Sequence, residues 1–203
     1  MDRPRHTVRV FSVYPHGPAV YLESVGDVSG CRMTLYQLKG SARKNMGCWG
    51  ITAFESDEGL GTLSFIRETL PKDGHLELEK VIAALQQDEW YAPPDVKLGS
   101  AHTSPLMLAE IMCKYLDQDM NGLDNTVEWA PSENKFGDIT SFTATKDSIL
   151  WLHDYILSTL IYKQKDAEYR EKHAVQDTDR NGGWFQKKDW IDWQKHMKNL
   201  VNL

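Results

Sequence analysis

The chain has 203 residues, of which 41% are apolar and 26% are charged, and its formal net charge is −6. These proportions are typical of a globular protein with room for one core, or for one domain and an appendage. No apolar run approaches the roughly 20 residues that cross a bilayer, and residues 1–25 lack the apolar stretch of a signal peptide. We therefore expect a cytoplasmic protein that is not associated with a membrane.

The charge is unevenly distributed along the chain. Residues 1–45 hold seven basic and three acidic residues (net +4), whereas residues 46–203 hold sixteen and twenty-six (net −10). This break predicts an N-terminal extension over residues 1–45 and a domain over residues 46–203. An acidic domain disfavours nucleic acid as a partner and favours a basic protein.

The three cysteines are Cys31, Cys48 and Cys113. Their odd number and the lack of a C-x-x-C pair argue against a disulfide framework and against a thiolate zinc site. We expect free, buried thiols in a reducing compartment.

The N-terminal extension contains two apolar runs, Val8–Tyr14 and Ala19–Val25, on either side of a Pro-His-Gly-Pro turn. This pattern predicts a small β-hairpin or two extended pieces. Two other interpretations stay open: a disordered basic extension, or a native domain that begins at Met46 and does not include residues 1–45.

Helical patterns begin at Ser56. Ser56 or Asp57 is predicted to cap a first helix that ends before Pro71, and a second helix is predicted from Leu76 to about Trp90. A third helix is predicted to have Ser104 as its N-cap and Pro105 as its first residue, and to stop near Asp117. Residues 118–144 are polar and predict a long connection with at most one short strand.

The longest predicted helix is capped by Thr145 and runs to about His173. Residues 149–162 are apolar nearly all round, which predicts a central position in the core. His153 shares a stripe with Leu150, Leu157 and Ile161, so we expect it in the core or at its boundary.

A last helix, from about Lys188 to Leu200, is predicted to pack on the domain through Trp190 and Trp193. Together, these predicted helices indicate a mainly α domain with a four- to five-helix antiparallel bundle-like arrangement.

Residues 46–203 resemble an uncharacterised bacterial family, a domain of unknown function that opens with M-G-x-W-G. The features that carry the resemblance are Met46-Gly47-Cys48-Trp49-Gly50, Phe54-Glu55-Ser56-Asp57, Leu106–Ile111 and the Trp-rich last helix. The resemblance implies a small cytoplasmic helical protein and supplies no activity or catalytic residues.

Two Asp-x-Asp-x-Asn-Gly stretches predict calcium binding by degenerate EF-hand-like loops. The first would use Asp117, Asp119, Asn121 and Glu128, although Asp124 and Pro131 depart from the EF-hand pattern. The second would use Asp177, Asp179 and Asn181, with Lys188 in place of the twelfth-position carboxylate. The alternative is that each stretch is a helix-ending turn without a metal, in which Gly adopts the left-handed conformation.

No catalytic motif is present, and we expect no cofactor unless it is calcium. An enzyme that uses His102, His153 or His173 with nearby carboxylates stays an alternative. Our leading hypothesis is a non-catalytic protein that binds a protein partner, in an immunity-like or regulatory role. Trp129 and Trp184, in predicted loops, are the candidate anchors for that partner.

Overall fold

The computed structural model describes residues 48–97, 103–124, 133–173 and 189–202. The predicted extension over residues 1–45 lies outside these ranges. Within them, the chain forms five helices of ten or more residues and a two-stranded sheet, so the prediction of a mainly α protein is confirmed. No helix of the described ranges combines the length and the apolar character that a membrane crossing requires.

The first helix, α1 (Asp57–Glu68), begins where the sequence predicts. Ser56 is its N-cap, and the Ser56 side chain accepts a hydrogen bond from the Gly59 backbone N–H. The acidic residues Asp57 and Glu58 lie in the first turn, where they complement the positive end of the helix dipole. Local chemistry therefore determines where this helix starts.

A two-stranded parallel sheet follows. Strand β1 (His75–Glu77) pairs with β2 (Ser141–Thr143), and His75 lies opposite Ser141 in the register. Before β1, Gly74 has a φ of +73°, and its carbonyl accepts hydrogen bonds from the backbone N–H groups of Thr140 and Ser141. The turn before β1 thus needs a positive φ, which Gly74 supplies, and it makes the first hydrogen bonds to the segment that leads into β2.

Helix α2 (Leu78–Gln87) is shorter than predicted at both ends. Leu76 belongs to β1 and is buried, so the prediction that it begins the helix is wrong. Leu76 and Leu78 are two residues apart, which is the spacing of a strand, and Leu76 pairs with Phe142 of β2; the helical spacing begins only at Leu78.

Helix α3 (Thr103–Leu116) is the most buried element, with eleven of its fourteen residues inside. Ser104 is the second helical residue rather than the N-cap, so the predicted start is late by two residues. The helix ends one residue before Asp117, as predicted, and a four-residue helix α4 (Asn121–Asp124) follows.

Helix α5 (Lys146–Lys172) has the predicted boundaries. The Thr145 side chain accepts a hydrogen bond from the Ser148 N–H and caps it. Only six of its 27 residues are buried, however, so the prediction that α5 is the central helix is wrong. Leu150 and Ile161 are 45% and 41% exposed, which places the predicted core stripe outside the core.

Helix α6 (Trp190–Val201) packs on α5, and α1 and α5 both pack on α3. Trp193 is 1% exposed, as predicted for a docking indole, whereas Trp190 is only partly buried and stacks on Trp193. The buried side chains of all these elements form one connected cluster around α3.

Candidate functional site

The M-G-x-W-G region folds into a closed loop, which we call the Cys48–Ser56 loop. Cys48 and Ser56 form an antiparallel bridge, and the Trp49 N–H donates to the Glu55 carbonyl at 2.9 Å. A 3-10 turn over Ala53–Glu55 completes the loop and leads directly into α1. The bridge therefore places Cys48, the first residue of the loop, next to Ser56, the N-cap of α1.

The Glu55 carboxylate holds this loop together from inside. Its Oε2 atom accepts hydrogen bonds from the N–H groups of Ile51 (2.9 Å) and Thr52 (3.1 Å) and from the Thr52 hydroxyl (3.0 Å). A Cβ atom at Gly50 would overlap this carboxylate. Gly50 is therefore needed so that the backbone can close around the charge.

Gly59 has a similar role on the other side of the loop. A Cβ atom there would overlap the backbone carbonyl of Ala53, because the first turn of α1 packs directly on the 3-10 turn. Gly50 and Gly59 thus have a structural explanation.

A buried carboxylate connects the loop to two helices. Glu110 of α3 is 0% exposed, and its oxygens accept hydrogen bonds from the Ala53 N–H at 2.9 and 3.1 Å. The Nε2 atom of His196, on α6, lies 2.7 Å from Glu110 Oε1. This contact fixes the loop and α6 relative to the core.

Sequence reasoning missed this pair. Glu110 lies within an otherwise apolar run on the most buried helix, which is the one signal that could have indicated a satisfied internal carboxylate. Nothing in the sequence connects it to His196.

An exposed surface forms where the Cys48–Ser56 loop meets the N-terminus of α6. Burial, together with the negative charges of Glu55 and Asp189, raises the pKa of the Cys48 thiol to about 11, although a hydrogen bond with the Gly50 backbone opposes the shift. The influence of both carboxylates places them near Cys48. Trp49, beside Cys48, is 40% exposed, and Ile191, beside exposed Asp192, is 77% exposed. We call this surface the aromatic-acidic end; its members are Trp49, Asp189, Ile191 and Asp192.

The first Asp-rich stretch has partners of its own in the described residues. Lys114 pairs with the Asp119 carboxylate at 2.6 Å. The N–H groups of Asp117 and Asp119 donate to the carbonyls of Cys113 and Lys114 as α3 ends. The left-handed residue is Gln118, with a φ of 59°, so the prediction that glycine takes this conformation is wrong for this stretch.

Among the residues that the structure describes, no group of three or more His, Cys, Asp or Glu side chains could hold a metal ion. Glu128 lies outside the described ranges, and so do Asp177, Asp179 and Asn181 of the second stretch. Calcium binding therefore stays a prediction. The candidate anchors Trp129 and Trp184 also lie outside those ranges and stay predictions.

The histidines proposed for an enzyme do not meet. His153 is half-exposed and lies 2.9 Å from the Asp154 carboxylate, whereas His173 follows the last residue of α5 and stacks on Tyr169. Twenty residues of helix separate the two histidines by about 30 Å. His102 lies outside the described ranges. The histidine that does meet a buried carboxylate is His196.

Comparison of the chain with protein families, with curated proteins and with solved structures gives no match. The resemblance to an uncharacterised bacterial family therefore stays a prediction that is carried by the quoted residues alone.

Proposed function

We propose that this protein is a cytoplasmic, non-catalytic binding protein that holds a basic protein partner at its aromatic-acidic end. The observations that carry the proposal are two exposed large apolar side chains, Trp49 on the loop and Ile191 in the first turn of α6, and the electrostatic effect of Asp189 on Cys48, the chain neighbour of Trp49. Aromatic side chains rimmed by charge are typical of the centre of a protein interface.

The rigidity of the loop supports this proposal. The Glu55 carboxylate and the contact between Ala53 and Glu110 fix the loop backbone that carries Trp49. The contact between Glu110 and His196 fixes the helix that carries Ile191. A surface held in this way loses little conformational entropy on binding, so more of the contact energy contributes to affinity.

The charge supports a basic partner rather than a nucleic acid. Residues 46–203 have a net charge of −10, and carboxylates at a helix N-terminus repel phosphates. The first turn of α6 contains Asp192 and the basic residues Lys195 and Lys198 lie further along the helix, whereas Lys187 and Lys188 precede Asp189 in the sequence. The thiols of Cys48 and Cys113 are compatible with a reducing compartment, and an immunity-like or regulatory role fits such a protein.

The proposal is tested by affinity capture with the full chain, using a lysate of the cells that carry its gene. We expect a stoichiometric basic protein to be retained by the native chain and lost with Ile191→Glu. Leu150→Glu is the matched control, because Leu150 is also an exposed apolar residue on a helix but lies on α5. This variant should retain the partner.

The captured protein is then purified and titrated by calorimetry. Asp192→Lys should weaken binding by about tenfold, and added salt should weaken the native complex, because charges on the rim of an interface steer and orient the partner. A partner that binds Ile191→Glu and Asp192→Lys as tightly as the native chain would contradict the proposed surface. So would a partner that is neutral or acidic.

A further inference from the structure

The outward face of α5 carries a row of residues whose spacing is symmetric about Leu157. We call it the α5 stripe; in chain order its members are Lys146, Leu150, His153, Leu157, Ile161, Gln164 and Glu168. From Leu157, the members follow at four, three and four residues toward each end. With 3.6 residues per turn they lie within an arc of about 80° and extend over about 33 Å.

The α5 stripe points away from the core. The buried residues of α5, such as Leu152, Ile156 and Thr159, centre on a direction about 130° from that of Leu157 around the helix axis. Leu150 and Ile161 are 45% and 41% exposed, and both charged ends of the stripe, Lys146 and Glu168, are exposed. Near the C-terminal end of the stripe, Gln164 donates a hydrogen bond to Gln194 of α6 at 2.8 Å, so α6 borders the stripe there. An apolar stripe that stays exposed on a helix face is typical of a helix that packs on another helix.

We propose that the occupant of the α5 stripe is a second copy of this chain, with the two α5 helices antiparallel around a two-fold axis at Leu157. In this arrangement each residue faces the one equally far from Leu157 on the other copy. Leu157 meets Leu157, and His153 faces Ile161. At each end Lys146 of one copy faces Glu168 of the other, because both lie eleven residues from Leu157.

Charge complementarity selects this occupant and this orientation. The stripe has a cation at its N-terminal end and an anion at its C-terminal end, so an antiparallel copy forms two ion pairs. A parallel copy would place like charges together at both ends. A two-fold interface requires a patch that is complementary to itself, and the spacing of the stripe provides one. Since only a few apolar side chains take part, the dimer is weak and depends on concentration.

Analytical ultracentrifugation of the full chain over a wide concentration range tests the proposal. We expect a reversible equilibrium between monomer and dimer. Leu157→Glu should raise the dimer dissociation constant at least about a hundredfold, because the axis brings the two introduced carboxylates together. Lys165→Glu, an exposed residue of α5 outside the stripe, is the control and should leave the constant unchanged.

Charge reversal tests the register. Lys146→Glu and Glu168→Lys should each weaken self-association by about tenfold, because each places like charges at both ends of the pair. An equimolar mixture of the two variants should recover native affinity, since a mixed dimer restores both ion pairs. This recovery cannot result from a variant that has simply lost its fold.

Three results would overturn the proposal. The first is a native chain that stays monomeric at every concentration, including the case in which the stripe binds a different protein. The second is a dimer that Leu157→Glu leaves intact. The third is a mixture of charge variants that associates no better than either variant alone. Retention of the basic partner by Leu157→Glu separates this interface from the aromatic-acidic end.

Discussion

Glu110 and His196 are 86 residues apart in the sequence, yet the Nε2 atom of His196 lies 2.7 Å from the Glu110 Oε1 atom. Glu110 is fully buried, and the His196 side chain is 10% exposed. Because the same carboxylate also accepts the Ala53 N–H, one side chain joins the Cys48–Ser56 loop, α3 and α6. A buried carboxylate that lost these partners would retain its desolvation penalty.

We predict that Glu110→Gln lowers the free energy of unfolding by about 2 kcal/mol, and His196→Ala by a similar amount, because each weakens or removes a buried charge-assisted contact. In urea denaturation the double variant should cost about 1 to 2 kcal/mol less than the sum of the two single variants. His153→Ala, which removes a half-exposed contact with Asp154, should change stability by no more than about 0.5 kcal/mol. Simple additivity of Glu110→Gln and His196→Ala would show that the two side chains are not coupled.

We predict that Gly59→Ala lowers the free energy of unfolding by about 3 kcal/mol, because its Cβ atom would overlap a backbone carbonyl that cannot move without opening the loop. Gly61→Ala is the matched control on the same helix. The Cβ atom of the new alanine would lie 2.8 Å from the Tyr91 hydroxyl, and the gain in helix propensity offsets the displacement of the Tyr91 side chain. Stability should then change by less than about 1 kcal/mol. Equal effects of the two variants in thermal denaturation would refute the close contact at Gly59.

We predict that Lys163→Met stabilises the protein by about 1 kcal/mol at neutral pH, because the Lys163 side chain is buried and burial disfavours its charged ammonium form. Burial lowers the pKa of the Lys163 ammonium; nearby Asp166 raises it and Arg170 lowers it. Lys165→Met, at an exposed position of the same helix, should change stability by no more than about 0.5 kcal/mol.

The pH dependence of this difference has a defined sign. The folded state of the native chain releases the Lys163 proton at a lower pH than the unfolded state, whose pKa is near 10.5. Between these two values the unfolded state binds more protons, so the native chain gains stability as pH rises. The advantage of Lys163→Met should therefore be constant below the folded-state pKa and should shrink as pH approaches 10.5. An advantage that grows with pH in urea titrations would contradict this account.

We predict that Gln118→Gly stabilises the protein by about 0.5 to 1 kcal/mol, because Gln118 has a φ of 59° and glycine adopts that conformation without strain. Gln118→Ala, which keeps a Cβ atom, should be nearly neutral. Both are compared by thermal denaturation with calcium and with EDTA. A calcium-dependent rise in melting temperature would instead support a metal site in the first Asp-rich stretch.

The starts of α1 and α5 were predictable from the sequence because their causes are local. The side chains of Ser56 and Thr145 each accept a hydrogen bond from an N–H group three residues ahead, and any sequence with this spacing favours a helix there. The mainly α class follows from the same local signals.

The faces of the helices were not predictable to the same degree. Residues 149–162 are apolar on most sides, so periodicity alone could not show that Leu150 and Ile161 face away from the core. Likewise, Leu76 is in a strand because β2 pairs with it, and the partner residue Phe142 lies 66 positions later. The contact between Glu110 and His196 is equally non-local. Tertiary packing determines such features, and a single sequence does not record it.

The parallel pairing of β1 with β2 has a consequence for the order of folding. His75 and Ser141 are 66 positions apart and meet only after this long segment has been closed into a loop, whereas Cys48 and Ser56 are eight positions apart. Since loop-closure entropy must be overcome before a distant contact forms, the short loop and α1 are expected to form early and the sheet late. Substitutions in the sheet, such as Phe142→Ala, should then accelerate unfolding and leave the refolding rate nearly unchanged.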